Sequence, residues 1–328
     1  NPLGVLVQVL CQLPSLKRVG VRLRLRVDVH DPCIRETIAL GIPTLIVTCV
    51  SFATTSVQSS CSLSVNPNGA AITYYARMWY VLPYSVFAIP ITTAMFTELS
   101  TYVANNDMAS FKRGVGRGTG KILFLLVPFA LYLIVFSPCL ARLLGGSRMD
   151  AASLDQLAGY LAWLSVSLPA YGVCTYLQKA CSSLRRMKLF TVAECVAGAV
   201  QIAFCLVLTP YFGFNVVGFS STIFFVAIDL VIFAFLRREL GALGLRSLLV
   251  SAVRALVLGA AGTVVGGAIL WALTTFVAPL QGAGLVRALI YTVAGGVPAL
   301  LVTFGTAALL GLDEASAVTQ ILNRLLHR

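Results

Sequence analysis

Eight apolar stretches, each more than 20 residues long and separated by short polar segments, limit what this chain can fold into. They run approximately over 38–64, 70–103, 121–145, 153–181, 189–212, 215–236, 250–277 and 285–311. A helix needs about 20 mainly apolar residues to cross about 30 Å of hydrocarbon, and each stretch supplies them. Only 11% of the 328 residues are charged and 58% are hydrophobic, with a mean hydropathy of +0.90. A soluble domain carries about 25% charged residues, so the solvent for this surface has to be lipid. Backbone groups in lipid must be satisfied within their own segment. The expected fold class is therefore an all-α polytopic membrane protein.

The formal net charge of +12 would suit a nucleic-acid partner if it were pooled, but it is not. Lysines and arginines cluster in alternate loops, as the positive-inside rule predicts. One side holds Lys17, Arg18, Arg22, Arg24 and Arg26, then Lys112, Arg113, Arg117 and Lys121. It also holds Arg185, Arg186, Lys188, Arg237, Arg238, Arg246, Arg324 and Arg328. The other side holds Arg142, Arg148 and Arg287. This asymmetry places both chain ends in the cytoplasm and argues against nucleic acid as a partner. The opening "NPLGVLVQVLCQLP" is too short to span and lacks the charged start of a signal peptide. It reads as the inner end of a helix whose beginning lies outside this sequence. "LKRVGVRLRLRVDVH" alternates apolar and basic residues, which suits either a topology-setting interfacial loop or a contact with anionic membrane lipids.

Soluble-enzyme chemistry has no constellation here. No Gly-rich phosphate loop, catalytic triad or carboxylate pair has suitable spacing, which argues for a non-enzyme without a cofactor. Nine cysteines and two histidines include no CxxC pair, so no zinc site is expected. Cys61 and Cys139 fall near outer helix ends. They read either as one disulfide or, more simply, as apolar filler. Small residues over 257–268, including "GTVVGG", suit close helix packing.

Ionisable groups inside the spans are the sharper signal, because each is costly in lipid and ordinarily faces a bundle interior or a wet cavity. They are Arg77, Glu98, Lys179, Glu194, Asp229 and Arg254. Lys179, Arg254 and Glu98 lie close enough to helix ends to snorkel. Glu194 lies near "RRMK" and is placed to pair with Arg186 or Lys188. Asp229, in "FFVAIDLVIFAF", suits a cavity or a buried hydrogen bond equally. In "TYYARMWYVLP", Tyr74, Tyr80 and Tyr84 lie within about 60° of Arg77 on a helix. Glu98 is 21 residues on, about 30 Å along the axis, too far to neutralise it. Another helix, an anionic ligand gripped by the guanidinium, or snorkelling to the outer interface must account for Arg77. Pro83 and Pro90 interrupt the same helix, as in the broken helices of transporter sites.

Three segments, in this order and spacing, carry a resemblance. They are "LVQVLCQLPSLKRVGVRLRLRVDVHDPCIRETIALGIPTL", "AITYYARMWYVLPYSVFAIPITTAMFTELSTYVANNDMASFKRG" and "LTPYFGFNVVGFSSTI". The chain resembles the C-terminal part, helices seven to fourteen, of MviN/MurJ-type lipid II flippases. The resemblance implies a multidrug/oligosaccharidyl-lipid/polysaccharide exporter-like fold. Residues 1–36 would be a helix end and basic cytoplasmic loop, 37–240 a six-helix lobe, and 241–328 two additional helices with a short cytoplasmic tail. It also implies transfer of lipid-linked peptidoglycan precursor to the outer leaflet of a bacterial cytoplasmic membrane, with cavity arginines facing its pyrophosphate; Arg77, and Tyr74, Tyr80 and Tyr84 on its helix face, are the candidate substrate-binding residues. Where the family often has Asp-Arg after the tyrosine pair, this chain has Arg77 and Met78, so the cation is displaced by one position. A family carboxylate aligns with Gln58, and positions linked in some members to sodium align with Gln201 and Cys205. No intact sodium site of that type is expected. Gln58, Gln201 and Asp229 remain candidate polar residues of the cavity. Two alternatives stay open. One is a related exporter of polysaccharide-lipid intermediates or drugs. The other is a non-transporting scaffold whose basic loops recruit cytoplasmic cell-wall synthesis proteins.

Overall fold

The computed structural model describes residues 6–8, 10, 11, 32–145, 149–241, 245–280 and 284–311. All regular structure among them is helical. The helices are α1 Pro32–Val65, α2 Gly69–Pro83, α3 Ile89–Ala104, α4 Met108–Gly145, α5 Ala151–Ser165, α6 Leu168–Ser183, α7 Met187–Phe212, α8 Phe214–Leu240, α9 Leu245–Ala272 and α10 Leu285–Leu309. Residues 1–42 and 43–328 form separate compact units. In the first, residues 6–8, 10 and 11 are helical, with Leu6, Val7 and Leu10 exposed. The second holds the helical bundle. The basic segment 16–30 and the tail from 312 onward lie outside the described residues.

Seven helical runs are long and apolar enough to cross a membrane, and an eighth exists if a bent pair counts as one span. That pair is α5 and α6, bent by 47° where the sequence suggests one straight span over 153–181. Pro169 sits in the first turn of α6, where its missing N–H costs nothing, but its ring cannot continue the preceding helix. Helices α2 and α3 form one span, Gly69–Ala104, joined through a π-helical turn, Tyr84–Ala88. Pro83 ends α2 and Pro90 lies in the first turn of α3. The widened turn between them takes up the register that the two rings disturb.

Helix α4 is the central post, packing against α3, α5, α6, α9 and α10. Its start is capped by Asp107, whose Oδ1 accepts from the Ser110 N–H at 2.9 Å. The Ser110 hydroxyl and then that N–H hold the Asp107 carboxyl below its ordinary range. Phe111, Ile122, Leu126, Tyr160 and Tyr176 are fully buried around the post. Gly118 is required at its place, because a Cβ there would lie 2.3 Å from the Tyr176 ring.

The small residues of α9 do pack closely, as their sequence suggests. A Cβ on Gly262 would lie 2.1 Å from Thr303 Oγ1 and 2.5 Å from the Ala299 carbonyl. Tyr132 on α4 donates to Thr303 Oγ1 at 2.5 Å, tying α10 to the post. The lobe's outward faces are apolar, with Phe52, Val196, Phe212, Leu230, Val264 and Trp271 exposed, as lipid solvation requires. Cys61 and Cys139 are buried free thiols. The disulfide reading therefore gives way to the filler reading.

Candidate functional site

Within the second unit, α1, α2, α5, α6, α7 and α8 line a cavity of about 310 Å³, α5 through Leu164 alone. Each of the other helices contributes one stripe at three- and four-residue spacing. From α1 come Val47, Ser51, Thr54, Thr55 and Gln58, from α6 Tyr171, Cys174, Thr175 and Gln178, and from α8 Ser221, Phe224, Phe225 and Ile228. Helix α2 adds Arg77, Tyr80 and Val81, and α7 adds Phe190, Glu194 and Gln201.

Arg77 lines this cavity and does not run to the interface. Its Nη2 donates to Gln58 Oε1 at 2.6 Å. Gln58 is held from behind: its amide Nε2 donates to Ser221 Oγ at 2.9 Å, Ser220 Oγ at 3.0 Å and the Val217 carbonyl at 3.5 Å. Gln201 Nε2 also donates to Ser220 Oγ, at 3.3 Å. A chain of neutral hydrogen bonds thus runs from α8 through Gln58 to the guanidinium, whose Nε is buried without a partner. Among the described residues Arg77 forms no ion pair, so its charge is only dipole-compensated.

The tyrosines divide. Tyr80 is buried and shares a 2.8 Å hydrogen bond with Ser167 at the α5–α6 bend. Its ring lies 5.6 Å from Tyr171, and these two line the cavity; Tyr84 lies 4.5 Å from the Tyr171 ring and is not among the lining residues. Tyr74 does not belong there. It is 63% exposed and meets Tyr75 edge-on, centroids 5.8 Å apart. Its position three residues before Arg77 puts it at the edge of the arc, on the outward side.

Glu194 also departs from its expected pairing. Arg186 bonds Glu239 at 3.2 Å, and Glu194 Oε1 accepts from Ser51 Oγ at 2.9 Å. Eight residues on from Arg186 and six from Lys188, Glu194 is turned about 80° and 240° from them. That rotation aims it into the cavity. Its only sequence signal is Gln201, seven residues on and about 20° away. Asp229 is buried beside the lining residue Ile228, with Oδ1 unpartnered. Glu98 accepts from Tyr102 OH, Lys179 stacks over Phe96 at 5.5 Å, and Arg254 is exposed. None of these three lines the cavity.

A lipid-faced helical lobe with a cavity of mixed polar and apolar lining, and a broken span beside it, is a polytopic membrane fold of the multidrug/oligosaccharidyl-lipid/polysaccharide exporter-like class. A solved structure titled "Lipid II flippase MurJ, inward closed conformation" has this fold, with a TM-score of 0.63 and 18% identity over 82% of this chain and 54% of that one. The family model for "Lipid II flippase MurJ" matches residues 2–289, and the chain belongs to that family. A "Probable lipid II flippase MurJ" of Vibrio cholerae is 27% identical over 83% of this chain and 52% of its own length. One of Borreliella burgdorferi is 22% identical over 57% and 36%. The chain thus spans about half the length, or less, of these relatives.

Proposed function

We propose that the chain works as part of a lipid II flippase, moving the lipid-linked peptidoglycan precursor from the inner to the outer leaflet of a bacterial cytoplasmic membrane. The observation that carries this is the cavity Arg77, fixed by a neutral amide and left with charge to spare. An anionic sugar-pyrophosphate head has to cross about 30 Å of hydrocarbon. A cationic, hydroxyl-lined cavity replaces its water while the tail stays in lipid, and rocking of the lobe alternates access. Guanidinium suits a two-point grip on phosphate oxygens, with Tyr80 and Tyr171 as the wall beside it. Each charge moved through 100 mV is worth about 2.3 kcal/mol, enough to bias the cycle.

In this reading residues 37–240 form one six-helix lobe and 241–328 two added helices. The loops bearing Lys112–Arg117 and Arg185–Lys188 face the cytoplasm, as do both ends of the chain. Basic residues there meet anionic lipids and cytoplasmic cell-wall enzymes. The test is Arg77→Ala in the intact protein. It should abolish flipping at near-normal membrane levels, and Arg77→Lys should restore only part, since an ammonium keeps charge but loses the planar grip. Full growth of a strain whose only copy carries Arg77→Ala rules Arg77 out as the anchor.

A further inference from the structure

Two hydrogen-bonded crossings tie α1 to its neighbours at the cavity, and their spacing is fixed. At the first, Gln58 Nε2 and Gln201 Nε2 both donate to Ser220 Oγ, at 3.0 and 3.3 Å, and Gln58 Oε1 receives Arg77. At the second, Ser51 Oγ donates to Glu194 Oε1 at 2.9 Å. Ser51 lies seven residues before Gln58 on α1, and Glu194 lies seven before Gln201 on α7. Seven residues return to the same helix face within about 20° and rise about 10 Å. One step of equal length on each helix therefore separates the two crossings. Between them α1 and α7 pack closely, since a Cβ on Gly198 would lie 2.7 Å from Val50 Cγ1 and 3.4 Å from Thr54 Cγ2. Two packed backbones set the spacing.

Each crossing presents one charged side chain to the cavity. Arg77 is the single basic residue of the lining and Glu194 its single carboxylate. Glu194 is 4% exposed, and its Oε2 makes no hydrogen bond. A carboxylate buried inside a span is costly until a cation or further donors meet it. Arg77 is not that cation: about 10 Å along α1 exceeds the reach of about 4 Å that an ion pair needs. A calcium or magnesium ion is a poor fit as well. Such ions take about six or more oxygens, and among the described residues no three acidic or metal-ligating side chains gather. A primary ammonium asks for less. Its three N–H donors need Oε2 and one or two neutral oxygens, of the kind that Thr55, Thr175 and Gln178 bring to the same lining.

We propose that Glu194 is an ammonium subsite, and that it takes a primary amine of the same head group whose phosphate sits on Arg77. The proposal rests on the reading of Arg77 as an anion anchor, and adds a second point of recognition to it. Two fixed charges about 10 Å apart along the helix axes select for heads that carry a phosphate and, on an arm of that reach, an amine. A peptide-bearing head with a diamino residue has both. A head of sugar and phosphate alone has only the first. Glu194 is thus the residue that separates peptide-bearing lipid-linked precursors from bare polysaccharide-lipid intermediates in a cavity whose arginine would accept either.

The experiment measures equilibrium binding to the intact protein in detergent. Three probes are compared: a lipid-linked muramyl pentapeptide that carries lysine, the same molecule with the lysine amine acetylated, and undecaprenyl pyrophosphate. Wild type should prefer the free amine over the acetylated form by about tenfold, the usual worth of a hydrogen bond to a charged group. Glu194→Gln keeps the size of the side chain and its contact with Ser51 but loses the charge, and should bind the two peptide probes alike. Equal affinity of wild type for the two, with undecaprenyl pyrophosphate still bound, overturns the ammonium subsite and leaves the anchor standing. A full preference in Glu194→Gln overturns it too, because the amine is then read elsewhere. Absence of undecaprenyl pyrophosphate binding to wild type overturns the anion-anchor reading, and the subsite with it. Should Glu194→Gln not fold, Glu194→Asp takes its place. It keeps the charge but draws it back by one carbon, so it should narrow the preference, and an undiminished preference there counts against the subsite.

Discussion

At Arg77, a neutral bond to Gln58 stands where a buried cation would ordinarily meet an acid. Removing that amide has a direct cost. Gln58→Leu strands Arg77 Nη2 and takes the donor from Ser221 Oγ, at about 1–3 kcal/mol for each group left unsatisfied, while Ser220 keeps Gln201 and the Val217 carbonyl keeps Ser220. A clearly lowered thermal unfolding midpoint in detergent is expected, with Thr55→Ala, on the same stripe, as the near-silent control. The residues the sequence marks best are those whose polarity is out of place in a span: Arg77, Gln58, Gln201 and Asp229. Three of these line the cavity, and Asp229 lies one position away. Tyr74 misleads because a position 60° from the arginine is compatible with either side of the wall. Glu194 is hidden by its proximity in sequence to a basic cluster. Only the rotation of α7 against α1 separates it from those charges.

For the helices, apolar length predicts number and extent well, because lipid thickness is the one constraint all of them share. It says little about where a span bends. Hydropathy runs unbroken through 153–181, and only Pro169 signals the 47° break that brings Ser167 to Tyr80. The helix contacts of α9 are more legible, since only small residues allow backbones this close. They also give a sharp contrast between neighbours. Gly262→Val would force a Cβ into the Ala299 carbonyl and should separate α9 from α10, at about 1–3 kcal/mol or more. A Cβ on Gly267 meets nothing closer than Val135 Cγ1 at 3.5 Å, so Gly267→Ala should leave the unfolding midpoint unchanged. Fluorescence-detected thermal melts of the two variants provide the comparison.

For the whole molecule, the alternation of basic loops gives an orientation that labelling can check. Single cysteines in a cysteine-free background should react from outside at 66–69 and only after permeabilisation at 112–118 and 184–187. Labelling of 112–118 in intact cells reverses the orientation. The cavity itself was not legible as a shape, because its lining is gathered from six helices between Val47 and Ile228. The Gln58 amide, drawn in among Val217, Ser220 and Ser221, has a consequence for the conditions this protein tolerates. Three oxygens converging from one helix are the kind of pocket that elsewhere waits for a dissolved ion. Here the occupant is covalently part of α1 and never leaves. The seam between α1 and α8 is thus stitched by the chain's own atoms, and exchanging sodium for potassium at equal ionic strength should leave its melting point where it was.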